Sequence, residues 1–185
     1  MEISFKSKLT PLKLSEFSIR TAAFNRQNFV DYPWTISTSR VAADVFTNNI
    51  CDCTACLITD GSKALLMHLS PERQDNHNFS KVFNFISNNL DLNKNDLQAV
   101  IAGSKPTELS QDIFYKFKEL LSSLKIPTTI LKNGKGPTHI AYRTSTDEVL
   151  ISNNIIDKLL KNGINNQDAI FNSFENVKIS DADYF

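Results

Sequence analysis

The sequence predicts an α/β domain in which a sheet is covered by helices. Three observations support this fold class: short apolar runs of strand length, two amphipathic helical patterns between them, and turn residues at the boundaries. From residue 53 onward the predicted order is β-β-α-β-α-β-β-β. The chain has 185 residues, 41% of them hydrophobic, so it can bury the core of a single domain.

The first two strands form a predicted hairpin. The runs "CTACLIT" and "ALLMHLS" are short and apolar, and the turn "DGSK" lies between them. We expect 53–59 and 63–69 to pair as neighbouring antiparallel strands. If the turn is centred on Asp60 and Gly61, Cys53 lies directly opposite His68.

Two helices follow, with a strand between them. Apolar residues recur at helical spacing from Phe79 to Leu90 and again from Ile113 to Leu124. "LQAVIAGS" is the buried strand between the helices. For the second helix we expect Ser110 to be the N-cap and Pro127 to mark the end.

The remaining elements are shorter. "TTILKN", "THIAYRT" and "EVLIS" predict three strands, and "NIIDKLLKNG" predicts a helix that Gly163 caps. Residues 1–40 show a mixed pattern, in which "VDYPWTIS" indicates a loop or an edge strand because Pro33 interrupts it. The end, "NVKISDADYF", is a polar tail that we expect to be dispensable for folding.

Composition excludes several functional classes. Lys and Arg number 20 and Asp and Glu number 20, with no basic run, which argues against nucleic-acid binding. No segment approaches the roughly 18 apolar residues of a membrane span. The first residues lack the unbroken apolar core of a secretory signal. Three cysteines do not suggest a disulfide framework, so we expect a reduced, cytoplasmic compartment.

All three cysteines lie close to His68 in sequence. Together the four side chains are enough ligands for zinc, and Cys51 with Cys53 is a possible redox pair. However, alternate residues of a strand face the same side, and Cys56 is three positions from Cys53, so it faces away from Cys53 and the three sulfurs do not converge. We expect Cys56 to be a small buried core residue.

Cys53 and His68 form a different kind of pair. Directly opposed residues of a hairpin have Cβ atoms roughly 4.5–5.5 Å apart, and a neighbouring imidazolium lowers the pKa of a thiol. We therefore predict an exposed Cys53 thiol beside the His68 ring. The other two histidines have simpler interpretations: His77 lies in a loop or at a helix start, and His139 lies on a strand surface.

These motifs resemble those of CheD, the bacterial chemoreceptor glutamine deamidase family, whose fold is shared with the catalytic domain of cytotoxic necrotizing factor and with Burkholderia lethal factor. That family carries a Thr six residues before its nucleophilic Cys and a His on the next strand. Thr47, Cys53 and His68 match this pattern. The similarity covers about 41–152. It departs from the family where Cys51-Asp52 replace Gly-Ser and Ser104 replaces a second Gly.

The resemblance implies a layered α-β-β sandwich over 41–152, with an N-terminal extension at 1–40 and a C-terminal helical extension and tail at 153–185. It also implies that Cys53 attacks the side-chain amide of a glutamine, that His68 takes the thiol proton, and that Thr47 orients His68. No cofactor and no metal ion are implied.

The implied partner is a protein that bears the target glutamine. It is a chemoreceptor, or a host protein if the chain is an effector secreted into a host cell without a cleaved signal peptide. A transglutaminase and a non-catalytic binding module on the same fold stay open.

Overall fold

The computed structural model describes residues 7–30, 36–38, 44–72, 77–103, 107–132 and 136–175. Within these ranges the chain forms two mixed sheets, of four and five strands, and five α-helices. None of the described helices has the length and the apolar composition needed to cross a membrane. The chain is therefore an α/β protein, as the sequence predicts.

The first sheet has four strands: β1 (Lys8–Pro11), β3 (Val45–Ile50), β8 (Thr138–Arg143) and β9 (Glu148–Ser152). Their order is β1-β9-β8-β3. The β9–β8 and β8–β3 pairs are antiparallel, whereas β1 runs parallel to β9. The residues before the predicted hairpin thus supply both edge strands of this sheet, and the sequence pattern indicated neither of them.

The second sheet has five strands: β2 (Ile36–Thr38), β4 (Thr54–Thr59), β5 (Ala64–Leu69), β6 (Gln98–Gly103) and β7 (Thr128–Lys132). Their order is β2-β5-β4-β6-β7, and only the β6–β7 pair is parallel. The predicted neighbours β4 and β5 are confirmed. β2 is an edge strand, as expected, although Pro33 lies outside the described residues.

The five helices are α1 (Leu14–Thr21), α2 (Phe79–Asn89), α3 (Glu108–Ser123), α4 (Asn154–Lys161) and α5 (Gln167–Glu175). The predicted α2, α3 and α4 are confirmed. α2 and α3 complete the order β-β-α-β-α-β-β-β from β4 to β9, and α4 follows β9. Gly163 follows the end of α4 with φ of +80°, as its predicted role in the cap requires. The sequence analysis did not identify α1 or α5.

Alternation along β4 assigns its two faces to different cores. Ala55 and Leu57 pack in a core shared with the first sheet, through residues such as Ile140 and Tyr142. The opposite face packs on α2 and α3. A third, smaller core lies between α1 and the outer face of the first sheet. The layers are therefore helix, sheet, sheet and helices, with His68 on the face of β5 that looks into the space between the sheets.

The predicted register of the β4–β5 hairpin is wrong by two residues. Thr59 pairs with Ala64, so the loop spans residues 60–63 and His68 lies opposite Ala55, not Cys53. The reason is the Asp60 side chain, which accepts hydrogen bonds from the backbone N–H groups of Ser62 and Lys63 and so moves the turn centre by one residue. A two-residue shift preserves the face of every side chain.

The predicted N-cap of α3 is also wrong. Thr107, not Ser110, caps this helix, because the Thr107 hydroxyl accepts a hydrogen bond from the Ser110 backbone N–H. Ser110 lies in the first turn and is fully buried. Its hydroxyl donates instead to the backbone carbonyl of Asp52, beside the predicted nucleophile.

Segments from both ends of the chain enter the folded body. β1 pairs with β9, and Ile156, Ile170 and Phe174 of the two C-terminal helices belong to the core between the sheets. The predicted tail after Val177 lies outside the described residues.

Glu148 links the N-terminal segment to the first sheet. Its buried carboxylate accepts hydrogen bonds from Thr10 and Arg20, and the Lys8 ammonium lies 3.8 Å away. Burial alone raises the pKa of Glu148, but the Thr10 hydrogen bond and the positive charges of Arg20 and Lys8 hold that pKa below its ordinary value.

We predict that Glu148→Gln lowers the free energy of unfolding by about 1–3 kcal/mol at neutral pH. A carboxyl group with a lowered folded-state pKa stabilises the fold above its unfolded-state pKa and loses this effect as the pH falls through the folded-state value. Urea unfolding of both proteins should therefore show the difference shrinking below about pH 4. A control, Asp157→Asn, weakens the ion pair between the partly exposed Asp157 and the exposed Lys161 and should change stability less than Glu148→Gln. A difference for Glu148→Gln that persisted unchanged at low pH would contradict this account.

Candidate active site

The site lies where the chain crosses from one sheet to the other. β3 belongs to the first sheet, β4 belongs to the second, and only residues 51–53 connect them. The end of β3 is irregular: its register shifts between Thr47 and Ile50, and Asn49 has φ of +56°. This short, bent crossover places Cys53 at the end of the space between the sheets.

Thr47 and His68 meet across that space. Val45 and Thr47 lie on the inner face of the first sheet, while Leu66 and His68 lie on the inner face of the second. The Thr47 hydroxyl oxygen is 2.7 Å from His68 Nδ1, and both residues are fully buried. The predicted contact between these two side chains is therefore present.

A third group fixes the direction of this hydrogen bond. The Thr47 hydroxyl donates to the backbone carbonyl of Val30 at 2.7 Å. A hydroxyl has a single hydrogen, so Thr47 can only accept from His68, and Nδ1 must carry the proton. In the neutral ring this leaves the lone pair on Nε2, which is also buried. Thr47 thus selects the tautomer in which Nε2 can act as a base.

The Val30 carbonyl is held by the N-terminal segment. Phe29 bridges Phe46 of β3 in parallel, and the Val30 N–H donates to the Phe46 carbonyl at 2.8 Å. The sequence could not indicate that the Val30 carbonyl accepts from Thr47, because every residue has a backbone carbonyl.

Cys53 lies directly before β4, just beyond the last residue pair of the hairpin, which joins Thr54 and Leu69. His68 lies opposite Ala55, two residues after Cys53. The structure therefore places the two predicted residues near the same end of the hairpin, but not directly opposite each other.

The predicted exposure of Cys53 is wrong: only 4% of the residue is accessible. Burial raises the pKa of the Cys53 thiol to about 12, and the negative charges of Asp52, Cys51 and Glu72 add to this effect. A hydrogen bond with Ser70 lowers the pKa. The resting thiol is therefore protonated at neutral pH. A base must remove its proton before the sulfur can attack, since the thiolate is the nucleophile.

The backbone around Cys53 is held by two further residues. Gly103 of β6 pairs with Thr54 and has φ of +139°. A Cβ atom at this position would overlap the Cys53 carbonyl oxygen and lie 2.9 Å from Thr54 Cα. On the other side, the Ser110 hydroxyl donates to the Asp52 carbonyl. The end of β6 and the start of α3 therefore both fix the residues next to the thiol.

The surroundings of Cys56, His77 and His139 differ from those of Cys53 and His68. Cys56 is fully buried against α2 and α3, as predicted, and burial raises the pKa of its thiol. His77 precedes α2; its Nδ1 is 2.6 Å from Asp112 and its Nε2 is 2.9 Å from the Pro71 carbonyl. His139 was expected on a strand surface, but it is buried on β8, where it packs against Phe17 of α1. Among the described residues, no three His, Cys, Asp or Glu side chains converge as metal ligands would.

No protein-family model matches this sequence, and no curated protein matches it either.

We predict that Gly103→Ala destabilises the fold by about 2–4 kcal/mol, because the new methyl group meets backbone atoms and the backbone has a conformation that only glycine adopts readily. Gly163→Ala is the matched control: φ there is also positive, but nothing lies within 4 Å of the added Cβ. It should cost about 1 kcal/mol. Urea unfolding measures both changes. Equal losses for the two variants would show that the contact with Cys53 is unimportant.

Proposed function

We propose that this protein is a cysteine-dependent glutamine deamidase that converts a glutamine of a substrate protein to glutamate. Cys53 is the nucleophile, His68 is the base and Thr47 positions His68. One observation carries the proposal: the Val30–Thr47 hydrogen bond forces the proton onto His68 Nδ1, so that Nε2 is a base near the same end of the hairpin as the thiol. The two stacked sheets with α2 and α3 outside support assignment to the CheD-like layered sandwich.

The first half of the reaction forms a thioester. His68 Nε2 accepts the proton of the Cys53 thiol while the sulfur bonds to the carbon of the glutamine side-chain amide, and the carbonyl electron pair moves onto oxygen. Backbone N–H groups near Asp52 and Cys53 stabilise that oxyanion. When the intermediate collapses, the carbon–nitrogen bond breaks and the leaving nitrogen takes the proton from His68. Ammonia departs.

The second half restores the enzyme. His68 takes a proton from water, and the hydroxide oxygen bonds to the thioester carbon. Collapse breaks the carbon–sulfur bond, returns the proton to Cys53 and leaves glutamate on the substrate. An amine in place of water gives the transglutaminase reaction from the same thioester, so the acceptor alone decides between the two activities.

The raised pKa of Cys53 determines how the thiol is activated. Because the pKa of the thiol is about 12, Cys53 does not transfer its proton to His68 at rest, and no thiolate–imidazolium pair forms at neutral pH. Proton transfer to His68 therefore accompanies attack on the substrate. This requires Nε2 to be the acceptor, which is the state that Thr47 imposes.

The partner is a protein with an accessible glutamine. We place the activity in a reducing compartment, either the cytoplasm of the producing cell or that of a host cell, because the nucleophile is a free thiol. Each conversion adds one negative charge to the partner, which is sufficient to switch a protein interaction. The test is an intact-mass scan of candidate partners, chemoreceptors and host proteins included, for the small mass gain of amide-to-acid conversion. A protein that binds such a partner without changing its mass is the binding module instead.

We predict opposite effects for two cysteine substitutions. Cys53→Ala should lower the deamidation rate at least about a thousandfold, because the attacking atom is lost. Cys56→Ala should keep the activity but destabilise the fold by about 1–2 kcal/mol, because it leaves a small cavity against α2 and α3.

Cys51→Ala is the control for the neighbouring thiol and should leave the rate within a few-fold of the wild type. The mass gain on a substrate and urea unfolding measure the two effects. Loss of activity in Cys51→Ala, with activity retained in Cys53→Ala, would make Cys51 the nucleophile.

A further inference from the structure

Ser70 lies at the same end of the hairpin as Cys53. β4 and β5 pair Thr54 with Leu69, and Cys53 and Ser70 are the next residues of the two chain segments beyond this last pair. Ser70 is 1% exposed. A buried hydroxyl therefore lies at the end of the hairpin where the sequence predicted the imidazole of His68.

The backbone fixes the orientation of this hydroxyl. The Glu72 N–H donates to Ser70 Oγ at 3.3 Å. The Ser70 side chain is also hydrogen-bonded to that of Cys53, and the hydroxyl has a single hydrogen with which to donate. That bond favours the ionised sulfur, against the effects of burial and of the nearby acidic groups.

We propose that Ser70 is a positioning residue for the thiol chemistry: its hydroxyl donates to Cys53 Sγ, which turns the thiol hydrogen toward His68 and stabilises the sulfur charge as the proton leaves. The proposal rests on the proposed function insofar as Cys53 is the nucleophile. It adds a group that the resemblance to the CheD family did not indicate.

Donors and acceptors are consistent along the whole arrangement. On one side a backbone N–H donates to Ser70, and Ser70 donates to the sulfur of Cys53. On the other side His68 Nδ1 donates to Thr47, and Thr47 donates to a backbone carbonyl. The step between the two halves, from the thiol to Nε2, is the proton transfer of the reaction. Because both ends are anchored on the backbone, neither side chain has to reorient when the proton moves.

The test uses the reactivity of the thiol, which needs no substrate. The full chain is treated with iodoacetamide, and mass spectrometry follows the peptide that contains Cys53. Below the thiol pKa the rate scales with the thiolate fraction, so Ser70→Ala should slow alkylation of Cys53 roughly tenfold at about pH 8. Ser70→Thr retains the hydroxyl and should restore most of the rate.

Ser152→Ala is the matched control. Ser152 is a fully buried serine of β9 whose hydroxyl has no hydrogen-bond partner within the described residues. Its replacement should leave the alkylation rate of Cys53 unchanged. This comparison separates loss of the Ser70 hydrogen bond from a general loosening of the core.

The Ser70 proposal is overturned if Ser70→Ala reacts at the wild-type rate, or if Ser70→Thr is as slow as Ser70→Ala. The proposed function is tested separately, by the mass gain of a substrate with the wild-type protein. A wild-type protein that deamidates, with no effect of Ser70→Ala on alkylation, refutes the role of Ser70 alone. A slowed Ser70→Ala in a protein that never deamidates refutes the function and leaves the assignment of Ser70 intact.

Discussion

The Thr47 hydroxyl is the group on which the candidate site depends. It joins three parts of the chain: the N-terminal segment through the Val30 carbonyl, the first sheet through β3, and the second sheet through His68. A buried hydroxyl with one donor hydrogen must donate in one direction and accept in the other, so its two partners determine the protonation of the ring. The fold determines which nitrogen of His68 is basic by placing a backbone carbonyl next to a threonine.

The electrostatics of the site favour a concerted activation of the thiol. Burial and the adjacent acidic groups keep the Cys53 proton in place at rest, and only the hydrogen bond with Ser70 acts in the other direction. A thiol that is mostly protonated reacts slowly with oxidants and alkylating reagents, because the thiolate is the reactive form. Under the proposed function, Cys53 becomes reactive only when a substrate amide is in position and His68 takes the proton.

The central part of the fold could be predicted because its sequence pattern is local. The apolar strands and the helical spacing around Val82, Ile86 and Phe117 identified every element from β4 to α4. The register of the hairpin could not be predicted, because it depends on the Asp60 side chain accepting two backbone hydrogen bonds in the turn. β1, α1, β3 and α5 were missed, because they are stabilised by contacts with residues far along the chain and lack a clear local pattern. For the site, the hairpin pattern indicated Cys53 and His68, and the resemblance to the CheD family indicated Thr47. The Val30 carbonyl and the roles of Ser70 and Ser110 follow only from tertiary placement.

The most direct test of this account is the tautomer of His68. Nitrogen NMR of the protein with ¹⁵N-labelled histidine distinguishes a protonated ring nitrogen from an unprotonated one, and the chain has only 3 histidines to assign. Near neutral pH the account predicts that Nδ1 of His68 carries the proton and Nε2 does not, and that Thr47→Val, which removes the acceptor, abolishes this preference. A wild-type His68 with its proton on Nε2 would contradict the account, because Nε2 could then not act as the base.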